Sequence, residues 1–144
     1  MSGLFEWIES TALATTIAGS LALTASLSAL HLLGFTVVMG SALVGNLKRL
    51  GLLLPQSSIA DVLRPVNRAI VIGLAISITT GLPLFATRAS EVSANGTFQL
   101  KMLLLLTAVA CHFTVGPRAR AGAMLSLAAW LALAGTACAF ILLE

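Results

Sequence analysis

The chain has 144 residues, 58% of them hydrophobic and only 9% charged, with a mean hydropathy of +1.04. A soluble domain has about a quarter of its residues charged, so the composition excludes that class and indicates an integral membrane protein of one domain. The formal net charge of +3 sits at the ends of apolar runs, where topology and lipid headgroups account for it, and nucleic acid is excluded as a partner.

In chain order, the first feature is "LFEWIESTALATTIAGS". The uncharged run over 10–47 is too long for one straight span at roughly 1.5 Å per residue. Residues 3–17 are therefore read as a separate interfacial helix, anchored by Phe5 and Trp7. With Glu6 and Glu9 and no basic residue, this stretch does not read as a signal peptide.

Four runs follow that can each cross a bilayer of about 30 Å, over about 21–47, 67–86, 98–116 and 121–143. Pro55, Pro117 and "SANG" at 93–96 mark the turns. The expected fold is all-α, an integral membrane four-helix bundle with an N-terminal interfacial helix. Lys48, Arg49, Arg64, Arg68, Arg118 and Arg120 fall at one set of ends, and Arg88 and Lys101 at the other. By the positive-inside rule the first and third loops are cytoplasmic and both termini lie outside, in a bacterial inner (plasma) membrane.

On the first span Ser20, Thr24, Ser28, His31, Gly34, Val38, Ser41 and Gly45 step by threes and fours, forming one stripe. Small and polar residues in a membrane face other helices, so His31 is expected to point into the bundle. Leu33, Leu43 and Leu47 on the opposite face suit lipid, while Ala29, Thr36 and Gly40 leave open packing on two sides. An ionisable ring within a span reads as functional by default, here as a haem or metal ligand or a proton-transfer group; the alternative is a hydrogen-bonded packing residue.

His112, on the third span, is the other candidate, but its depth differs. His31 is seventeen residues before Lys48 and His112 six before Arg118, roughly 25 Å and 9 Å above the same boundary. That mismatch disfavours one haem b held by both within a monomer. Three arrangements remain: two haems stacked through the bilayer, a two-fold dimer pairing each histidine with its mate, or one haem on His31 with a different second ligand. Met102, near the level of His31, is the candidate for that ligand, since His/Met ligation of haem occurs.

Haem propionates are favoured by basic side chains. Arg88 and Lys101 would serve an outer haem, and Arg49, Arg68, Arg118 or Arg120 an inner one. "SITTGLP" at 77–83 can bend the second span and free a carbonyl, suiting a pocket wall or a quinone contact. Cys111 and Cys138, both within apolar runs and at opposite depths, form no disulfide framework. No HExxH, CxxCH, GxSxG, P-loop or paired intramembrane carboxylate is present.

The stretch "WIESTALATTIAGSLALTASLSALHLLGFTVVMGSALVGNLKRLG" resembles the start of an uncharacterised bacterial family of small four-helix membrane proteins. Members look alike in a "WLE-T" opening, a His-x-x-Gly in the first span, an acidic-Leu-Arg-Leu-Leu-Gly closing it, and a Phe-x-x-Lys matched here by Phe98 and Lys101. Asn46 stands where the acid is usual. The layout is also similar to copper-resistance membrane domains and small b-type cytochromes, which implies haem or copper. The leading reading is a haem b-binding protein transferring electrons, with quinone or a redox partner protein. Copper handling through His31, Met39 and Met102 is the alternative, although Met39 lies ~12 Å along the helix from His31. A cofactor-free structural subunit of a membrane complex is the third. The lipid bilayer is the expected surrounding, with a homodimer or larger complex as the expected assembly.

Overall fold

Most helices begin where a short polar side chain can take one of the first free N–H groups, the usual basis of an N-cap. Thr11 accepts from Ala14 N, Ser20 from Leu23 N and Ser58 from Asp61 N, while Asn95 Oδ1 accepts from Thr97 N and Phe98 N at 2.8 and 3.1 Å. A computed structural model describes residues 2–114 and 120–143, with side chains over 3–114 and 120–139. The elements are α1 (Ser2–Glu9), α2 (Ala12–Ala18), α3 (Leu21–Arg49), α4 (Ile59–Ala86), α5 (Ala89–Ala94), α6 (Gly96–Thr114) and α7 (Arg120–Leu143), with no strand among the described residues. Helices α3, α4, α6 and α7 are long and apolar enough to cross a membrane, as expected of a multi-pass bundle.

Several bounds differ from expectation. The N-terminal segment forms two helices, α1 and α2, because Thr11 ends one and caps the next. The second span starts at Ile59, eight residues before the expected 67, and passes through Pro65. Ser58 Oγ caps it by accepting from Asp61 N, and donates in turn to Asp61 Oδ2, so the helix is nucleated before the proline. Ahead of the 93–96 turn, α5 forms a short helix; its Ser90 N–H donates to Glu9 Oε1 at 2.7 Å, tying the N-terminal segment to the far end of the bundle. The third span begins at Gly96, two residues early, and α7 at Arg120, one early. The expected end of the third span at 115–116, with Pro117 and Arg118, lies outside the described residues.

Helix α3 packs along α4, α6 along α7, and the two pairs meet mainly through α3 and α7. The tightest approach is at two glycines. A Cβ on Gly34 would meet Ser77 Oγ at 2.7 Å and Gly73 O at 2.9 Å, and one on Gly73 would meet Gly34 O at 2.8 Å. The apolar core is Val38, Ala42, Val62, Val66, Ile70, Ala108, Trp130 and Leu133. On α3, buried residues start at Gly34 and run to Arg49, so burial is concentrated toward the basic end, where Lys48, Arg49, Arg64 and Arg120 lie. Lys48 itself is buried and donates to Leu54 O and Ser57 O at 2.5 and 2.6 Å. Those bonds fold back the α3–α4 connection, in which Gly51 and Leu54 take positive φ.

The far end is closed by aromatic rings. Phe85 of α4 stacks on Phe98 of α6 at 5.7 Å and meets Phe5 of α1 edge-on at 6.4 Å. Trp7, expected as an anchor beside Phe5, is 65% exposed.

Candidate functional site

The expected stripe on α3 does face its neighbours: Gly34, Val38 and Gly45 are buried, and Ser28, His31 and Ser41 half-buried. Ala29, Leu33, Thr36, Gly40 and Leu43 are exposed, so the two-sided packing left open by the sequence resolves to one side.

His31 lies in the α3–α4 seam. Its Nδ1–H donates to the Ser77 carbonyl at 2.8 Å, and Thr80 Oγ1 lies 3.4 Å from the same nitrogen. Ser77 Oγ lies 3.4 Å from the His31 carbonyl in return. The ring rests against Gly81, where a Cβ would stand 2.8 Å from Cε1 and 3.0 Å from Nδ1. Gly73, Ser77 and Gly81 recur every four residues, which places one small-residue face of α4 against the histidine stripe. This arrangement fixes the ring's tautomer: with Nδ1 carrying the proton, Nε2 keeps its lone pair.

Among the other expected site residues, Lys101 of α6 is partly buried. Arg88 is engaged by Glu91, with Nη2 to Oε1 at 2.7 Å in an exposed pair. Met102 is 39% exposed, so its thioether is not buried with the histidine. Met39 packs against the apolar core. Cys111 and Cys138 are free thiols. Among the described residues no group of three or more His, Cys, Asp or Glu side chains could hold a metal ion.

His112 belongs to a different level. It is fully buried, and Nε2 lies 3.0 Å from Asn67 Oδ1 of α4. Its ring faces Gly45, and it meets Phe113 and Trp130 edge-on at 5.1 and 6.5 Å. Arg49 Nη2 donates to the His112 carbonyl at 3.1 Å. The two histidines thus bond to positions 77 and 67 of one helix, ten residues apart, or roughly 15 Å. That agrees with the depth mismatch read from the sequence.

From sequence Arg49 is a candidate to serve an inner haem's propionates, whereas the burial of Asn46, Ser126 and Trp130 is not legible there. Asn46, Arg49, Ser126 and Trp130 are all buried, and Arg49 and Trp130 meet His112. Their signal was present as asparagines within apolar runs and a Ser126/Trp130 pair one turn apart, yet only packing brings them to one level.

Fold and site together define a class: a multi-pass helical membrane protein in which each histidine ties a neighbouring helix to α4. Comparisons with protein-family profiles, curated proteins and solved structures found no match to the chain.

Proposed function

We propose that the protein binds haem b through Nε2 of His31 and passes electrons within the membrane. The reading is carried by how the ring is held. A metal-ligating histidine almost always donates its other ring N–H to a carbonyl, carboxylate or water, which fixes its orientation and raises its basicity. His31 makes such a bond to Ser77 at 2.8 Å, with Gly81 supporting the ring face. The packing around it also favours the reading: residues 21–33 of α3 are at most partly covered, whereas burial begins at Gly34.

Haem b supplies one-electron redox chemistry when bound. The chain's own residues have distinct tasks. Ser77 and Gly81 hold the imidazole in one orientation, Lys101 favours a propionate by charge, and Phe85 with Phe98 closes the far end against water. A second ligand would come from Met102 or from His31 of a second copy; the level of His112 sets it apart from that role. The excess of Lys and Arg at the basic end supports a cytoplasmic placement of that end, in a bacterial inner membrane. Quinone or a redox partner protein would exchange the electron.

One observation favours a second reading, a cofactor-free subunit of a larger complex: both histidines already make interhelical hydrogen bonds. An absorption spectrum of the purified full-length protein separates the two. The haem reading expects a Soret band with reducible α and β bands, lost in His31→Ala. A colourless preparation from haem-replete cells would favour the structural subunit, and an unchanged spectrum in His31→Ala would overturn the assignment of His31.

A further inference from the structure

A second site, independent of His31, is built at the basic end. Arg49 is only 8% exposed. Its Nη2 donates to the His112 carbonyl, while Nε and Nη1 are buried without a hydrogen-bond partner. Trp130 Nε1 and Ser126 Oγ, on one face of α7, are likewise buried and unpartnered, as are Asn46 Oδ1 and His112 Nδ1. His112 links α3 and α7: its carbonyl takes the Arg49 Nη2 bond and its ring lies 6.5 Å from that of Trp130, with Asn46 one turn before Arg49 on α3 and Ser126 one turn before Trp130 on α7.

A buried guanidinium is retained when an anion balances it, since an unpaired buried charge is strongly destabilising. Among the described residues, the four acids do not supply one. Glu9 and Glu91 are engaged at the far end with Ser90 and Arg88. Asp61 is exposed and bonds Ser58, and Glu6 is exposed on α1. The unpartnered donors outnumber the acceptors, since Arg49 Nε and Nη1, the Trp130 indole and the Ser126 hydroxyl face only Asn46 Oδ1 and His112 Nδ1. An oxyanion with several acceptor oxygens and a hydroxyl of its own matches that inventory.

We propose that Arg49, with Trp130 and Ser126, binds a phosphate group at the basic end of the bundle. Asn46 Oδ1 and His112 Nδ1 would accept from hydroxyls on the same ligand. Two sources share this chemistry: the phosphate and glycerol of an anionic phospholipid, which basic recesses between spans recognise, and a soluble phosphate.

The test uses the full-length protein, delipidated in neutral detergent, in a Trp7→Phe background so that the emission is that of Trp130, with thermal unfolding as the second readout. Phosphatidylglycerol and inorganic phosphate are titrated separately, with phosphatidylcholine as the zwitterionic control. A saturable emission change with a raised Tm is expected from one of the first two and not from phosphatidylcholine. Response to phosphatidylglycerol alone identifies a lipid headgroup; response to inorganic phosphate identifies a soluble ligand. In Arg49→Gln the apparent affinity should fall at least about tenfold, the usual scale for a lost charge-assisted bond. Arg64→Gln, an exposed cation at the same end, should leave it unchanged. Trp130→Phe keeps the ring and removes the indole N–H, so it tests the site by Tm should Arg49→Gln fail to fold. No response to either probe, or the same affinity in Arg49→Gln or Trp130→Phe, would overturn the proposal.

Discussion

Gly73→Ala places a methyl group at the closest point between α3 and α4. The added Cβ would lie 2.8 Å from Gly34 O, 2.8 Å from Val38 Cγ2 and 3.1 Å from Val38 N. Two of those three atoms are backbone, so a rotamer change cannot relieve the clash. Helix α3 must shift by several tenths of an ångström, loosening Val38, which is only 1% exposed, and the His31–Ser77 bond a turn away. Overpacking of this kind costs about 1–3 kcal/mol, while alanine returns up to about 1 kcal/mol in helix propensity. Gly40 lies on the exposed side of the same α3 helix, with nothing within 4 Å of a Cβ, so Gly40→Ala carries the propensity gain alone. Because that gain is common to both, the two variants should differ by about 1–3 kcal/mol, with Gly73→Ala the less stable. Unfolding in mixed micelles with a denaturing detergent, followed by circular dichroism, measures the difference. A Gly73→Ala protein as stable as Gly40→Ala would refute the close-approach argument.

Two further perturbations test the polar contacts. Asn67→Leu leaves the His112 Nε2–H buried without its acceptor, an expected loss of about 1–3 kcal/mol. A double-mutant cycle with His112→Leu should return a coupling near 1 kcal/mol, and a coupling of zero would show that the two side chains act separately. Lys48→Met keeps the stem but removes the bonds to Leu54 O and Ser57 O. It should destabilise by about 1–3 kcal/mol and speed amide exchange across 51–57 before it affects α6 or α7. Uniform acceleration along the whole chain would contradict a local clamp.

Composition and periodicity settle the class of this protein on their own. Four apolar runs of membrane length, with hardly a charge inside them, have few alternatives to helices, because a backbone in lipid must satisfy its own hydrogen bonds. The stripe on the first span likewise named the face that packs, since 3.6-residue periodicity is a property of the chain. The starts of the helices were less legible. The second span was expected from 67, yet the Ser58 side chain caps α4 ahead of Pro65; Thr11 split the N-terminal segment by a hydroxyl that composition does not flag.

The pairing of side chains across helices was beyond the sequence. The depth of each histidine follows from residue counts, so their separation could be read early. That His31 meets Ser77 and Gly81, and His112 meets Asn67, depends on which faces of α3 and α6 turn toward α4 and in what register. Those rotations are set by the contact of Gly34 with Gly73 and by the packing of Trp130 and Leu133, which join residues far apart in the chain. Arg49 shows the same division. From sequence it is one of four basic residues that could serve an inner haem's propionate, with topology as the plainer explanation. Its burial against the His112 carbonyl, with no carboxylate paired to it among the described residues, is what singles it out from the other three.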